Sequence, residues 1–175
     1  MNARNLWSKI LTVVGGLAVT VGAVDALEGS LLILPGAGLL ALGTWLAGVE
    51  RRAVASNTWA FVLVALGVGA LWGLSALGGF GGTSGRSAWW GLLLLPYLIG
   101  WNLAVWGPGA PRWLTVLGIV NGLLFLGLAA IVLNPTPIKN LPTAIIVAVI
   151  GIVVIAGCIW RLMQQRKAKA LTPAT

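Results

Sequence analysis

Long apolar runs alternate with short polar or glycine-proline breaks along the whole chain. The pattern predicts membrane-spanning helices at about 6–25, 31–49, 59–77, 88–106, 113–133 and 143–163. Each run approaches the ~20 residues that a helix needs to cross a bilayer. The breaks are Asp25 to Ser30, Glu50-Arg51-Arg52, the glycine-rich stretch Gly78 to Ser87, Gly107 to Arg112, and Asn134 to Pro142. The expected fold is all-α: a polytopic bundle of six transmembrane helices forming one domain over 1–163. A basic tail, 164–175, is expected to be disordered. The segment Val21 to Arg52 shows the plan most clearly. It closes one span, turns at Glu28-Gly29-Ser30, runs a second span and stops on two arginines. That is a helical hairpin with acids at one end and bases at the other.

The first run, with Arg4 and Lys9 ahead of it, also has the form of a signal peptide, with Val21-Gly22-Ala23 as its cleavage site. An uncleaved helix is preferred, because cleavage would remove the partner of the second span. Leu34-Pro35, Leu95-Pro96 and Leu141-Pro142 stand early in the second, fourth and sixth spans. They read either as three copies of one hairpin or as chance in a leucine-rich chain. Pro35, near the start of the second span, is expected in a first turn, where the missing N–H would be unpaired anyway, and Pro96 is again an early proline.

Composition supports the membrane reading. Hydrophobic residues make up 59% of the chain and charged residues 8%, too few to cover a water-facing surface. Mean hydropathy is +1.00. The net charge of +8 would bring nucleic acid to mind in a soluble protein. Here the bases lie in the breaks, where they set orientation, and no nucleic-acid partner is expected. With a cytoplasmic N-terminus, Arg4, Lys9, Arg51, Arg52, Arg112, Arg161, Arg166, Lys167 and Lys169 all fall inside. Arg86 and Lys139 fall outside, with Asp25 and Glu28. This is the bias of the positive-inside rule, and it predicts two cytoplasmic termini in a prokaryotic plasma membrane. Tryptophans at 7, 45, 59, 89, 90, 106, 113 and 160 sit near span ends, where an indole can bury its ring and keep its N–H wet. Trp72 and Trp101 lie deeper.

The residue inventory excludes most chemistry. There is no histidine, so Ser-His and Cys-His catalysis and the commonest metal ligand are missing. One cysteine and three acids build neither a thiolate zinc site nor a carboxylate cage. The glycine-rich stretch carries Phe80 and Arg86 where a phosphate-binding loop needs glycine and lysine. No catalytic, cofactor-binding or metal residues are assigned, and the chain is expected not to be an enzyme.

Four residues form a candidate polar site: Asp25 and Glu28, Arg86 on the same side, and Asn121 midway along the fifth span. The acids read either as structural, ion-paired to Arg86, or as cation handling. Asn121 reads as an interhelical hydrogen bond or a substrate contact. Thr12, Thr44 and Asn102 are the few polar groups that could extend a path from it. Small residues four apart, at Ala65, Gly69 and Gly73, at Gly118 and Gly122, and at Ala144 and Ala148, are expected to let helices pack closely.

The stretch Leu92 to Gly127, with Pro111-Arg112-Trp113 followed by Leu-Gly-Ile-x-x-Gly, resembles small multi-pass bacterial membrane families of unknown function. The hairpins are also similar to HdeD-like acid-resistance proteins. Neither resemblance brings an active site. The expected role is that of a non-enzymatic accessory or structural membrane protein. Its partners would be the lipid bilayer and a membrane protein or a second copy. The alternative is a small transporter or channel using Asp25, Glu28 and Asn121.

Overall fold

The computed structural model describes residues 2–23, 28–79, 87–133 and 141–170. Over these the chain is helical: α1 Ala3–Gly22, α2 Ser30–Ala47, α3 Arg51–Ala76, a 3-10 helix Ala88–Leu94, α4 Leu95–Trp106, α5 Arg112–Leu133 and α6 Leu141–Ala170. Among the described residues, six helical segments are long and apolar enough to cross a membrane. Only 17–39% of each is buried. The rest presents Leu, Ile and Val outward, an arrangement that suits lipid and not water.

Several boundaries differ from the hydropathy pattern. α3 starts at Arg51, eight residues before the expected span. Its added turns, Arg-Arg-Ala-Val-Ala-Ser-Asn-Thr, are too polar for a hydropathy window, but most of them sit readily in a helix. α6 likewise runs on to Ala170, through residues expected to be disordered. Gln-Gln-Arg-Lys-Ala-Lys-Ala is made of strong helix formers, and an established helix propagates through them at little cost.

Proline and glycine set the remaining ends. Pro35 is the sixth residue of α2, not in its first turn as expected, and cannot donate to the Leu31 carbonyl. The fourth span is not one α-helix. Ala88–Leu94 is wound as a 3-10 helix, and α-helix begins at Leu95 with Pro96 in its first turn. Pro96 has no N–H for the Leu92 carbonyl, so the α pattern starts where that donor is not needed. Pro35 thus lies inside α2 and Pro96 in the first turn of α4, and the residues that follow them, Gly36 and Tyr97, are both buried. At the far end of α3, Gly78 donates to Ser75 O at 3.0 Å and Gly79 to Leu74 O at 2.8 Å. Both glycines have left-handed φ, 85° and 80°, which completes a Schellman stop.

The chain divides into two compact units, Met1–Ala110 and Pro111–Thr175, where the sequence reads as one domain. In the first, α1 pairs with α2, α3 pairs with α4, and α2 packs on α3. In the second, α5 pairs with α6. All three pairs are antiparallel hairpins closed through residues seven apart, most of them small. The buried series are Ser8, Gly15 and Gly22 on α1; Gly29, Gly36 and Gly43 leading into and along α2; and Ala60, Gly67 and Leu74 on α3. They continue with Gly100 on α4 and Gly107 at its end, Thr115, Gly122 and Ala129 on α5, and Ala144, Gly151 and Cys158 on α6. A seven-residue repeat keeps one seam facing a partner in a left-handed crossing.

Close approach explains the glycines. A Cβ on Gly15 would stand 2.6 Å from the Gly36 carbonyl oxygen. One on Gly122 would stand 2.5 Å from Ile155 Cγ1 and 3.0 Å from the Gly151 carbonyl oxygen. One on Gly67 would overlap the Tyr97 backbone. The expected stripe on α3 is corrected here: a Cβ on Gly69 or Gly73 meets nothing within 4 Å, and both positions are exposed. Ala65 is half-buried. Gly118 and Gly122 on α5 are buried, as expected of a packing stripe.

Candidate functional site

Polar side chains inside an apolar bundle must find partners, because lipid offers none. In the first unit several of them tie helices together. At the N-terminal end of α1, Ser8 Oγ donates to the Gly43 carbonyl of α2 at 2.8 Å. Arg4 Nε donates to Leu46 O at 2.6 Å, so its guanidinium lies across the C-terminus of α2. There it satisfies a carbonyl the helix leaves unpaired and complements the dipole. Deeper, Trp101 Nε1 of α4 donates to Val19 O of α1 at 3.1 Å, from a nearly fully buried ring. At the opposite end, Trp72 Nε1 of α3 donates to Ser30 Oγ of α2 at 3.0 Å. Trp101 thus acts as a buried tie and Trp72 as a tie at a helix end, itself exposed like Trp7, Trp45, Trp59, Trp89, Trp90 and Trp160.

The turn after α4 is held in the same way. Asn57, 2% exposed on α3, donates Nδ2 to the Gly109 carbonyl at 3.5 Å. Gly109 lies so close that a Cβ there would stand 2.7 Å from Ala53 O and from Asn57 Nδ2. Among the described residues, Asn57 Oδ1 and the neighbouring Ser56 Oγ are buried with no hydrogen-bond partner. The hydropathy pattern puts Ser56 and Asn57 in a connecting stretch, so nothing in it marks either residue. Only the early start of α3 carries them into the bundle.

Of the four residues of the expected polar site, Glu28 and Asn121 are among the described residues. Asp25 and Arg86 lie outside them. Glu28 is exposed in the turn before α2, where its carbonyl accepts the Leu31 N–H at 3.1 Å. Glu28 belongs to the first unit and Asn121 to the second. Asn121 is 5% exposed near the middle of α5, beside Gly122 in the seam. The groups that would extend a path are engaged locally. Thr44 Oγ1 bonds Leu40 O at 3.0 Å and Ala41 O at 2.9 Å, both on its own helix. Asn102 donates to Leu98 O at 2.8 Å and accepts from Trp106 Nε1 at 2.8 Å, again within one helix. Thr12 lies against Gly43.

Among the described residues, no three His, Cys, Asp or Glu side chains are grouped to hold a metal ion. No family model, curated protein or solved structure matches the chain.

Proposed function

We propose that this chain is a non-enzymatic, multi-pass component of a prokaryotic plasma membrane, with both termini in the cytoplasm. It works as an accessory or structural protein through a membrane partner or a second copy of itself. The observation that carries this reading is how the polar groups along its helices are used. Ser8, Trp72 and Trp101 each bond across to a neighbouring helix, and Thr44 and Asn102 bond within their own. Polar groups spent on holding helices together serve a rigid bundle and are not available to replace a hydration shell.

The orientation rests on charge. In the first unit, antiparallel pairing gathers Arg4, Lys9, Arg51 and Arg52 at one end, away from Glu28. In the second it gathers Arg112 with Arg161, Arg166 and Lys167. In each unit the bases so gathered fit the positive-inside rule with a cytoplasmic N-terminus.

A small transporter using Asp25, Glu28 and Asn121 is the second reading. It is favoured by Asn57 Oδ1 and Ser56 Oγ, two oxygens buried without a hydrogen-bond partner near the basic start of α3. Purified protein in liposomes separates the two. The accessory reading expects ion and proton flux no greater than in empty vesicles. A flux abolished by Asp25→Asn with Glu28→Gln, or by Asn57→Ala, establishes the transporter instead.

A further inference from the structure

The first turns of α5 border an open groove of about 710 Å³ lined by Arg112, Trp113, Val116 and Leu117. Arg112 and Val116 are one turn apart, as are Trp113 and Leu117, so the four make two adjacent rows on a single helix face. Read along the axis, the rows pass from a guanidinium through an indole to two aliphatic side chains about 6 Å further along. Among the described residues none hydrogen-bonds or ion-pairs the Arg112 guanidinium, and that side chain is exposed.

We propose that this groove holds an anionic phospholipid. The order of chemistries along α5 is the order along such a lipid: phosphate, glycerol ester, acyl chain. A guanidinium presents a planar fork of donors that matches phosphate oxygens. The indole fits the ester level, where one edge is apolar and the other wet. Val116 and Leu117 then border the upper acyl chain. Basic pockets at the ends of membrane helices are suited to such headgroups, and the net charge of +8 adds a general attraction. A soluble phosphate would use Arg112 alone and leave three apolar walls of the groove in contact with water.

A second depression, of about 350 Å³, repeats the combination with Arg4, Trp45 and Leu46. Its arginine is already committed. Nε bonds Leu46 O, and Nη2 lies where a Cβ on Gly48 would be 2.8 Å away. Of these two guanidiniums, that of Arg112 is the one left for a ligand.

The test uses the full chain in detergent with dissolved phosphatidylglycerol or phosphatidylcholine, read by native mass spectrometry and by melting temperature. The parent protein should retain phosphatidylglycerol in preference to phosphatidylcholine and melt higher with it. Arg112→Gln should reduce that preference about tenfold, the loss of one charge-assisted contact. Arg112→Lys should recover part of it, and Trp113→Ala should weaken retention of both lipids. Arg52→Gln, an equal charge change outside the groove, should leave the preference intact. Glycerol phosphate should not compete at the lipid's concentration. Equal losses from Arg52→Gln and Arg112→Gln would show diffuse attraction only and overturn the proposal. Full competition by glycerol phosphate would replace the lipid with a soluble phosphate and overturn it as well.

Discussion

Glycine is the residue on which the bundle's geometry turns, and its effect depends on the face it occupies. Gly15 and Gly122 stand where another helix backbone passes, whereas Gly69 and Gly73 face outward. Gly15→Leu or Gly122→Leu should therefore cost about 1–3 kcal/mol, the usual penalty of overpacking. Gly69→Leu and Gly73→Leu should melt within about 0.5 kcal/mol of the parent, as surface changes do. Thermal unfolding in detergent decides, and equal destabilisation by all four would show that α3 packs on its outer face. These positions show how far the sequence could be read. Small residues four apart share a helix face, and α5 does bury Gly118 and Gly122. On α3 the same spacing selects 65, 69 and 73, while the seam runs through 60, 67 and 74. In a helix apolar all round, hydropathy cannot tell the lipid face from the protein face. The polar ties are similar. Removing the Trp101–Val19 bond by Trp101→Phe should cost about 0.6–1.7 kcal/mol, the range for hydrogen bonds between membrane helices, plus the lost packing of the larger ring. Ser30→Ala, which removes the acceptor of Trp72, should fall near the lower end by the same measurement.

At the scale of elements, apolar run length locates every span, and the errors sit where something other than hydropathy decides. The start of α3 and the end of α6 are polar helix, visible to propensity and not to a hydropathy window. The fourth span is apolar throughout, so nothing in its hydropathy reports the change from 3-10 to α at Leu95. Pro96 marks the place, through a donor it lacks. Restoring that donor with Pro96→Ala should extend α-helix back towards Ala88. Hydrogen exchange would show it as slower exchange of amides in 90–94 and a protected new amide at position 96. Unchanged exchange there would mean that packing, and not proline, holds the 3-10 segment. Asn57 belongs to the same lesson, because its burial follows from a helix start that hydropathy does not register.

On the scale of the whole molecule, six helices long and apolar enough to cross a membrane were legible from the beginning, as was the charge bias of the breaks, since both are one-dimensional properties of the chain. The division at Ala110/Pro111 was not, because it depends on which helices touch and not on any single run. The candidate polar site was legible only as composition: three acids and one deep asparagine can be counted, but nothing in a sequence reports whether they converge. The central claim is an even number of crossings, with basic ends sharing one side of the membrane. It is tested most directly by fusing a compartment-sensitive reporter after Thr175 and inserting it in turn at Arg52, Gly109, Ser84 and Thr136. The account expects cytoplasmic signals from Thr175, Arg52 and Gly109 and external signals from Ser84 and Thr136. An external C-terminus, or a cytoplasmic signal at Ser84 or Thr136, would contradict it.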